Sequence, residues 1–326
     1  MRALWLENKT LSLRDDLPPP RPRRGEVLVR VLLAGICGTD LALTKGYYPF
    51  TGVPGHEFVG EVEAAPHSPS WVGKRIVGEI NISCGSCLNC RRGLRHHCER
   101  RAVLGLIDRQ GTFGEFLVLP EANLHEVSES ISDREAIFCE PLAAVLEIQQ
   151  EIQIRPADTV LVIGAGRLGQ LVAQSLALTG CDLRVIARYE VQRSLLAAGG
   201  ITTMGEEEIV PGRADVVVEA SGSPDGFGLA LRAVRPRGTI VLKSTYQDAP
   251  QVHLSSLVVH ELRLVGSRCG PFGAALRLLE KKAIDPLPLI TASYPLSEAR
   301  QAFEHASQPG ALKVLLEIGD GHGSTR

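Results

Sequence analysis

Residues 159–180 read TVLVIGAGRLGQLVAQSLALTG, an apolar strand pattern that runs through a glycine-rich turn into a helix pattern. The glycines at 164, 166 and 169 have the spacing G-x-G-x-x-G. Between a strand and a helix, Gly164 permits a tight turn, Gly166 lets a pyrophosphate approach the backbone, and Gly169 lets the helix pack closely. The stretch therefore predicts a dinucleotide site; the alternative is a tight strand–helix turn without a ligand.

The strand–helix alternation continues to about residue 268. Strand patterns such as CDLRVIAR and ADVVVEA are separated by helix patterns such as EVQRSLLAAGG. Repeats of this kind form a parallel sheet covered by helices on both faces. We therefore predict a doubly wound, Rossmann-type α/β domain over residues 145–268.

The chain before residue 131 has a different pattern. Segments such as EVLVRVLLAG, HEFVGEVEAA and GTFGEFLVLP are β-rich and lie between glycines and prolines. They predict a closed or nearly closed β-domain over residues 1–144, completed by residues 269–326. The final stretch, 319–326, has the composition of a disordered tail.

The change of pattern near residue 131 is marked by a helix start. Ser132 is followed three residues later by Glu135, the spacing of a capping box. The predicted helix extends to about Gln150, with Pro141 as a kink or break.

Composition places limits on the function. The 326 residues are enough for two domains, and 44% hydrophobic with 22% charged residues is normal for a soluble globular protein. A net charge of −2 does not favour a nucleic-acid partner. The sequence shows no apolar run near the roughly 20 residues of a membrane span and no signal-peptide layout. We therefore expect a cytoplasmic protein without membrane partners.

Four of the eight cysteines lie within CGSCLNCRRGLRHHC at 84–98. Cys84, Cys87, Cys90 and Cys98 have the spacing C-x₂-C-x₂-C-x₇-C, which fits a closed tetrahedral zinc site. An iron–sulfur cluster is the alternative, because cysteines spaced by two also bind clusters. Zinc with four thiolates carries a charge of −2, so the arginines in RRGLRHHCERR would offset it. DNA binding by this basic stretch is disfavoured, because no recognition helix or zinc-finger histidine pair accompanies the cysteines.

Several motifs occur together in one order: GICGTD at 35–40, GHEFVGEV at 55–62, the cysteine lobe, EPLA at 140–143 and the GAGRLG turn. Together they resemble the zinc-dependent medium-chain dehydrogenases, which include alcohol, sorbitol, threonine and glucose dehydrogenases. The resemblance covers essentially the whole chain. It implies a GroES-like catalytic domain, a Rossmann domain and an active site in the cleft between them.

The resemblance implies a catalytic zinc with Cys37 and His56 as ligands and Glu57 as a ligand or a close neighbour. Glu140 in EPLA is the expected further ligand, and the adjacent Cys139 is the alternative. Thr39 is placed to accept the alcohol proton. Asp40 is expected to orient the site, for instance as the partner of a ligand histidine. The family histidine that passes the proton onward is missing after GTD, so the relay beyond Thr39 stays open.

The predicted cofactor is NADP or NAD, with NADP favoured. CDLRVIAR ends at Arg188 where an acid would bind a ribose hydroxyl, and Arg188, assisted by Arg193, can pair with a 2′-phosphate. Glu190 would supply the acid if the register differed by two residues. The predicted cofactor-binding residues are Gly164, Gly166, Arg167, Leu168, Gly169, Arg188, Arg193 and Ser221.

The sequence therefore predicts a zinc-dependent dehydrogenase with two zinc ions per chain and a small alcohol or polyol substrate. The aromatic residues Tyr47, Tyr48, Phe50 and Phe272 are candidates for the substrate pocket. A homodimer or homotetramer is expected from the resemblance. The alternative function is a non-catalytic NAD(P)-binding redox sensor with the same fold.

Overall fold

The structure, a computed structural model, describes residues 1–246 and 250–319. Contacts divide the chain into two units: Met1–Glu140 with the described residues from Ala275 onward, and Pro141–Ala274. Of the tail predicted to be disordered, all but Gly319 lies outside the described residues.

The first unit begins with short strands and turns. Its strands up to residue 140 are β1 (Ala3–Glu7), β2 (Thr10–Arg14), β3 (Glu26–Ile36), β4 (Glu57–Ala64), β5 (Arg75–Gly78), β6 (Asn81–Ile82), β7 (Ala102–Leu104), β8 (Asp108–Arg109), β9 (Phe116–Pro120) and β10 (Leu124–Glu126). Its helices up to that point are α1 (Gly38–Thr44), α2 (Leu88–Arg91) and α3 (Asp133–Ala136), with 3₁₀ turns at Pro69–Trp71, Arg95–His97 and Glu121–Asn123.

The second unit alternates strands and helices. Helix α4 (Cys139–Glu151) leads into β11 (Thr159–Ile163), α5 (Arg167–Ala177), β12 (Asp182–Ile186), α6 (Glu190–Ala198), β13 (Thr202–Met204), β14 (Ala214–Glu219), α7 (Pro224–Ala233), β15 (Val234–Leu242), α8 (Leu254–Val259) and β16 (Arg263–Gly266), with a 3₁₀ turn at Glu206–Glu208. Helix α9 (Phe272–Glu280) leads back to the first unit, which ends with β17 (Ile290–Pro295), α10 (Ala299–Ala306) and β18 (Lys313–Glu317), with 3₁₀ turns at Leu287–Leu289 and Leu296–Glu298.

The sheet of the second unit is parallel throughout, in the order β13-β12-β11-β14-β15-β16. The strand order reverses between β11 and β14. Because parallel crossovers are right-handed, connections that run in opposite directions along the sheet lie on opposite faces. Ligands of such sheets bind outside the carboxyl ends of the strands at this switch point. Leu161, Val217 and Ile240 are buried in the core on the sheet, together with Phe227 from α7. The prediction of a doubly wound parallel sheet is confirmed.

The main sheet of the first unit has the order β10-β5-β4-β3-β18-β17, and β9 also pairs with β3. Buried and half-buried residues alternate along most of β3, so that Val27, Val29 and Val31 point into the core. Phe113 packs edge-to-face on Phe303 of α10, with 5.8 Å between ring centroids. The predicted β-rich domain is therefore confirmed, and its last strand comes from the far end of the sequence.

The predicted capping box is confirmed at the start of α3. The Ser132 N–H donates to Glu135 Oε2 at 2.9 Å, and the Glu135 N–H donates to Ser132 Oγ at 3.3 Å. The helix breaks at residues 137–138 rather than at Pro141. Pro141 lies in the first turn of α4, where a missing N–H leaves no helical hydrogen bond unmade. In the described part of the chain, no helix is long and apolar enough to cross a bilayer.

Candidate metal centres and dinucleotide site

Three predicted metal ligands meet beside the pairing of β3 with β4. Cys37 directly follows β3 and is the N-cap of α1, whereas His56 and Glu57 stand at the start of β4. The antiparallel register aligns Gly35 with Glu57 and so brings the two strand ends together. One ligand atom from each of Cys37, His56 and Glu57 lies within 4.8 Å of the others. Thiolate, imidazole and carboxylate are the donors that zinc takes in proteins.

Asp40 connects two of these residues. Its Oδ2 accepts a hydrogen bond from the Cys37 N–H at 2.8 Å. Its Oδ1 lies 3.2 Å from His56 Nδ1, although neither atom makes a hydrogen bond of regular geometry. The structure places Asp40 beside His56, while its role in orienting a ligand histidine stays a prediction. An acid beside the second ring nitrogen is the usual way to orient a ligand histidine.

The surroundings of His56 favour a positive charge. Burial opposes that charge, but the Asp40 carboxylate and the Cys37 thiol outweigh it and hold the pKa of His56 well above its ordinary value. The same charges would favour a metal ion bound to the other ring nitrogen. The donor set and its electrostatics therefore fit a cation.

Lys313 is a member of this site that the sequence reasoning missed. Its ammonium at the start of β18 donates to Glu57 Oε2, and the two side chains are 3% and 1% exposed. Gly35 leaves room for the pair, because a Cβ there would lie 2.4 Å from Glu57 Oε2. A lysine opening the apolar strand pattern LKVLLEI was the available signal, since a buried lysine requires a partner.

Glu140 and Cys139 are not part of the group formed by Cys37, His56 and Glu57. Glu140 is half-buried in the first turn of α4. Burial, reinforced by the nearby Glu140 and Glu79, raises the pKa of Cys139 well above its ordinary value. Cys139 is therefore a neutral buried thiol. Thr39 lies beside the group, with its Oγ1 3.8 Å from Cys37 Sγ.

The four cysteines of the lobe converge, and all four sulfurs lie within 4.8 Å of one another. The Sγ separations are 3.4 Å for Cys87 and Cys90, 3.9 Å for Cys87 and Cys98, and 4.0 Å for Cys84 and Cys90. A tetrahedral ion with metal–sulfur bonds of about 2.3 Å separates its sulfurs by about 3.8 Å. None of these cysteines forms a disulfide. The lobe therefore fits one tetrahedral ion.

Hydrogen bonds lower the pKa of two of the lobe thiols and so favour their thiolate forms. Backbone N–H groups, including that of Ser86, lower the pKa of Cys84 to about 5, and the backbone N–H of Cys90 lowers the pKa of Cys87. Burial and the neighbouring Cys87 raise the pKa of Cys90 to about 11. Arg100 donates to Ser86 Oγ at 2.8 Å and has its own pKa raised by Cys84. The lobe therefore favours thiolates at Cys84 and Cys87, with the Arg100 guanidinium close to them.

The glycine-rich turn has the geometry that the sequence predicts. Gly164 has φ of +97°, and a Cβ there would lie 2.7 Å from the Cα of Ser221. A Cβ at Gly169 would lie 1.9 Å from the Gly164 carbonyl oxygen, so α5 packs directly on the turn. At Gly166, the N-cap of α5, an added Cβ would meet no atom within 4 Å. The turn therefore leaves open space at the helix N-terminus, where a phosphate fits.

A cavity of about 180 Å³ lies over this turn, within the second unit. Its lining includes Gly164, Gly166, Arg188, Glu206 and Ser221. Of the other predicted cofactor residues, Gly169 packs on the turn, Arg167 and Leu168 open α5, and Arg193 follows in α6. These four do not line the cavity.

The two arginines predicted to bind a 2′-phosphate have different partners. Arg188 is 71% exposed and lies 3.6 Å from the carboxylate of Glu206. Arg193 donates to the carbonyl oxygens of Ala187 and Arg188, both at 3.0 Å, and pairs with Glu190 at 2.9 Å. Arg193 and Glu190 therefore fasten the turn between β12 and α6. Arg188 is the one of the two that lines the cavity.

The sequence reasoning also missed a buried acid beside the turn. Glu219, the last residue of β14, is fully buried and accepts hydrogen bonds from the Ser221 N–H at 2.7 Å and from its hydroxyl at 2.5 Å. The Tyr246 hydroxyl donates to the other carboxylate oxygen. Burial and Glu219 raise the pKa of Tyr246. This network fixes Ser221 at the cavity.

The four aromatic residues predicted for the substrate pocket do not all line one cavity. Tyr48 and Phe50 line a cavity of the first unit that contains none of the predicted metal ligands. Tyr47 packs edge-to-face on Tyr48, with ring centroids 4.6 Å apart. Phe272 is 5% exposed in α9.

Known proteins match both units. Residues 23–129 match the alcohol dehydrogenase GroES-like domain, and residues 168–281 match the zinc-binding dehydrogenase domain. The starvation-sensing protein RspB of Escherichia coli K12 is 30% identical over 98% of this chain and 100% of its own. The chain belongs to the zinc-dependent medium-chain dehydrogenase family. The predicted family and its oxidoreductase chemistry are thereby confirmed.

Further members and solved structures agree with this assignment. The erythritol/L-threitol dehydrogenase of Mycolicibacterium smegmatis is 31% identical over 93% of each chain. A zinc-binding dehydrogenase structure from Sinorhizobium meliloti 1021, bound to NADP, has a TM-score of 0.89 at 29% identity, covering 97% of this chain and 98% of that one. Alcohol dehydrogenase TADH from Thermus sp. ATN1 has a TM-score of 0.86 at 32% identity, covering 98% of this chain and 100% of that one.

Proposed function

We propose that this chain transfers a hydride between an alcohol or polyol and NAD(P), with a catalytic zinc held by Cys37, His56 and an acid. The meeting of Cys37, His56 and Glu57 ligand atoms within 4.8 Å carries the proposal. Erythritol/L-threitol dehydrogenase and a sorbitol dehydrogenase from Halalkalibacterium halodurans, 29% identical to this chain, favour a polyol.

Each protein group then has a distinct task. Bound zinc supplies a Lewis acid that lowers the pKa of a substrate hydroxyl, and the nicotinamide supplies the hydride acceptor. Thr39 Oγ1 would take the proton of the substrate hydroxyl while releasing its own hydroxyl proton toward cofactor ribose and water. Asp40 holds the His56 ring, and Lys313 neutralises Glu57 so that the buried site does not carry an excess of negative charge.

The acid that completes the zinc shell is proposed from two candidates. Glu57 lies within the group but is bound to Lys313, whereas Glu140 lies outside the group in α4. We favour Glu140 as the ligand, with Glu57 as its charged neighbour. Glu140→Gln should then lower the zinc content more than Glu57→Gln does. The opposite order would assign the ligand role to Glu57.

A second zinc is proposed for the cysteine lobe. Sulfur separations of 3.4–4.0 Å support a single ion. An iron–sulfur cluster would attach the thiolates to different iron atoms and separate the sulfurs further. Metal analysis should find zinc and no iron.

The function is tested by metal analysis combined with turnover. Purified protein should contain about two zinc ions per chain and should reduce NADP⁺ or NAD⁺ with at least one member of a panel of polyols and secondary alcohols. Carefully prepared protein without zinc would refute the proposal. Binding of NAD(P)H without turnover of any alcohol would support the redox-sensor alternative.

NADP is proposed as the preferred cofactor because Arg188 lines the cavity over the turn. Arg188→Asp should lower the ratio of kcat/KM for NADP⁺ to that for NAD⁺ by about tenfold or more, since it removes a charge-assisted contact. Arg184→Ala is the matched control, because Arg184 is an exposed arginine of β12 paired with Asp182. An unchanged ratio in Arg188→Asp would refute the assignment.

A homodimer is proposed from the edge of the parallel sheet. Strand β16 is one of the two edge strands of this sheet, and the preceding helix α8 exposes Leu254, Val258 and Val259 at 68%, 77% and 74%. Large apolar side chains at a sheet edge favour pairing with another chain. Val258→Asp should convert a dimer to a monomer in light scattering, whereas Leu178→Asp, at another exposed leucine, should not. A dimer in both variants would refute this interface.

A further inference from the structure

A cavity of about 790 Å³ lies entirely within the first unit. Its wall is formed by Trp5 of β1, the segment 17–26, the loop 48–53 and the segment 106–118. None of its described lining residues is a predicted metal ligand or cofactor contact. Its volume is within the roughly 300–1,000 Å³ of small-molecule sites.

Much of the wall is apolar and aromatic. Trp5, Phe50 and Phe116 contribute rings, and Leu17 and Ile107 contribute aliphatic side chains. Such a wall stabilises a hydrocarbon or aromatic group by removing it from water. The ligand therefore needs an apolar body.

The polar groups of the wall favour a negative charge. Arg109 is paired with Glu26 at 2.7 Å. Within residues 1–246 and 250–319, however, the Arg21 and Arg23 guanidinium groups make no direct hydrogen bond or ion pair, although the Arg23 N–H donates to Glu26 Oε2 at 2.9 Å and the charge of Arg23 helps to lower the pKa of Glu26. The acid Asp108 is also exposed in the lining. Arginines therefore outnumber acids in the wall, and two of them are available to a carboxylate.

The indole of Trp5 adds an unsatisfied donor. Its Nε1 is buried and has no hydrogen-bond partner. A buried N–H without an acceptor is uncommon and costs free energy. Because that atom is closed to solvent, a ligand in the cavity would contact other atoms of the indole rather than its N–H.

We propose that this cavity binds an amphipathic organic anion, a carboxylate with an aromatic or alkyl body. The aromatic wall holds the body, and Arg21 and Arg23 bind the carboxylate. The site is separate from the alcohol-binding metal centre and does not depend on hydride transfer.

Trp5 provides the measurement. The chain has two tryptophans, and Trp71 lies in the 3₁₀ turn Pro69–Trp71, outside the cavity lining. In Trp71→Phe protein, 4-phenylbutyrate should change the Trp5 emission saturably. The neutral isostere 4-phenylbutyramide should bind about tenfold more weakly, because it lacks the charge-assisted contacts. Equal affinities, or no saturable change, would refute the proposal.

Substitution of the arginines identifies the charged contact. Arg21→Ala/Arg23→Ala should reduce 4-phenylbutyrate affinity to that of the amide and leave amide binding unchanged. Arg24→Ala is the matched control, because Arg24 is exposed and adjacent but does not line the cavity. An equal loss in Arg24→Ala would show general charge attraction and would refute the site.

A charge reversal tests the same contact by a gain of binding. Arg21→Glu/Arg23→Glu should prefer 4-phenylbutylamine to 4-phenylbutyrate. Both arginines are exposed, so the fold should tolerate the change, and thermal denaturation verifies this. Continued preference for the acid would overturn the assignment of these two residues.

Discussion

The cysteine lobe and the Cys37–His56–Glu57 group are two candidate metal sites with opposite construction. The lobe takes four ligands of one kind from fifteen consecutive residues, Cys84–Cys98. The other group brings together three kinds of donor, a thiol, an imidazole and a carboxylate, from the ends of β3 and β4. Its charge balance depends on Lys313, 256 residues away from Glu57.

The difference separates a closed site from one suited to chemistry. Four thiolates fill a tetrahedron and leave no position for substrate, whereas a smaller mixed set leaves a position open. A closed site needs little beyond its ligands. In the proposed open site, Asp40 next to His56 and Lys313 next to Glu57 would set the ring orientation and the charge without binding the metal.

The largest expected difference between the two candidate sites is in kcat/KM after one ligand is removed from each. Cys37→Ser should lower kcat/KM by at least about 10³-fold, since several kcal/mol of Lewis-acid stabilisation would be lost. About one of two zinc ions should be lost at the same time. Steady-state kinetics and metal analysis provide the measurement.

The reciprocal variant and its control complete this comparison. Cys87→Ser should remove the other ion and lower the melting temperature, while kcat/KM of the folded fraction stays within about threefold of wild type, because lobe zinc contributes to folding rather than to the chemical step. Cys181→Ser, at a half-buried cysteine outside both arrangements, should change neither property. Wild-type activity in Cys37→Ser would contradict the assignment.

The next largest effect is expected at the buried ion pair. Lys313→Met should destabilise the protein by about 3–5 kcal/mol, because it leaves Glu57 buried and charged without a partner. Denaturant unfolding gives the free energy. Lys282→Met, which breaks the Lys282–Glu135 pair at a 53% exposed lysine, should cost about 1 kcal/mol or less.

The double variant Glu57→Gln/Lys313→Met sharpens this test. It removes both charges, so it should be more stable than Lys313→Met alone. A double variant that is less stable than Lys313→Met would show that the lysine acts through packing rather than through Glu57.

A smaller difference is expected in the pH at which each of the two candidate sites loses its metal. The raised pKa of His56 means that protons compete with metal as soon as the pH falls below that value. In the lobe, the lowered pKa values of Cys84, about 5, and Cys87 keep these two thiolates available to lower pH, and the raised pKa of Cys90, about 11, weakens the binding of only one of the four sulfurs. With a chelator present, activity should therefore be lost before the cobalt–thiolate absorption of a cobalt-substituted lobe. Loss in the reverse order would contradict this ranking.

The sequence predicts much of the fold because its signals are local. Gly164, Gly166 and Gly169 specify a turn within six residues, and Ser132 with Glu135 specifies a helix start within four. The cysteine spacing likewise predicts a convergence that the structure contains. In each case the partners are close in sequence, so their type and spacing define the geometry.

The parts that the sequence did not predict depend on contacts between distant residues. Lys313 and Glu57 carry no shared motif, and their pairing follows from β18 lying beside β3. Arg193 is of a residue type that often binds phosphate, yet its guanidinium group donates to the carbonyl oxygens of Ala187 and Arg188 instead. Residue type alone cannot show which partner a long charged side chain selects.

Asp40 contacts two neighbours at once, the N–H of Cys37 at the N-cap of α1 through Oδ2 and the His56 ring through Oδ1. If the Asp40 carboxylate moves toward the His56 ring, its contact with the Cys37 N–H changes as well. Filling of the metal position should therefore alter how often the first turn of α1 opens. Amide exchange at that turn would register the ion without any substrate or coenzyme present.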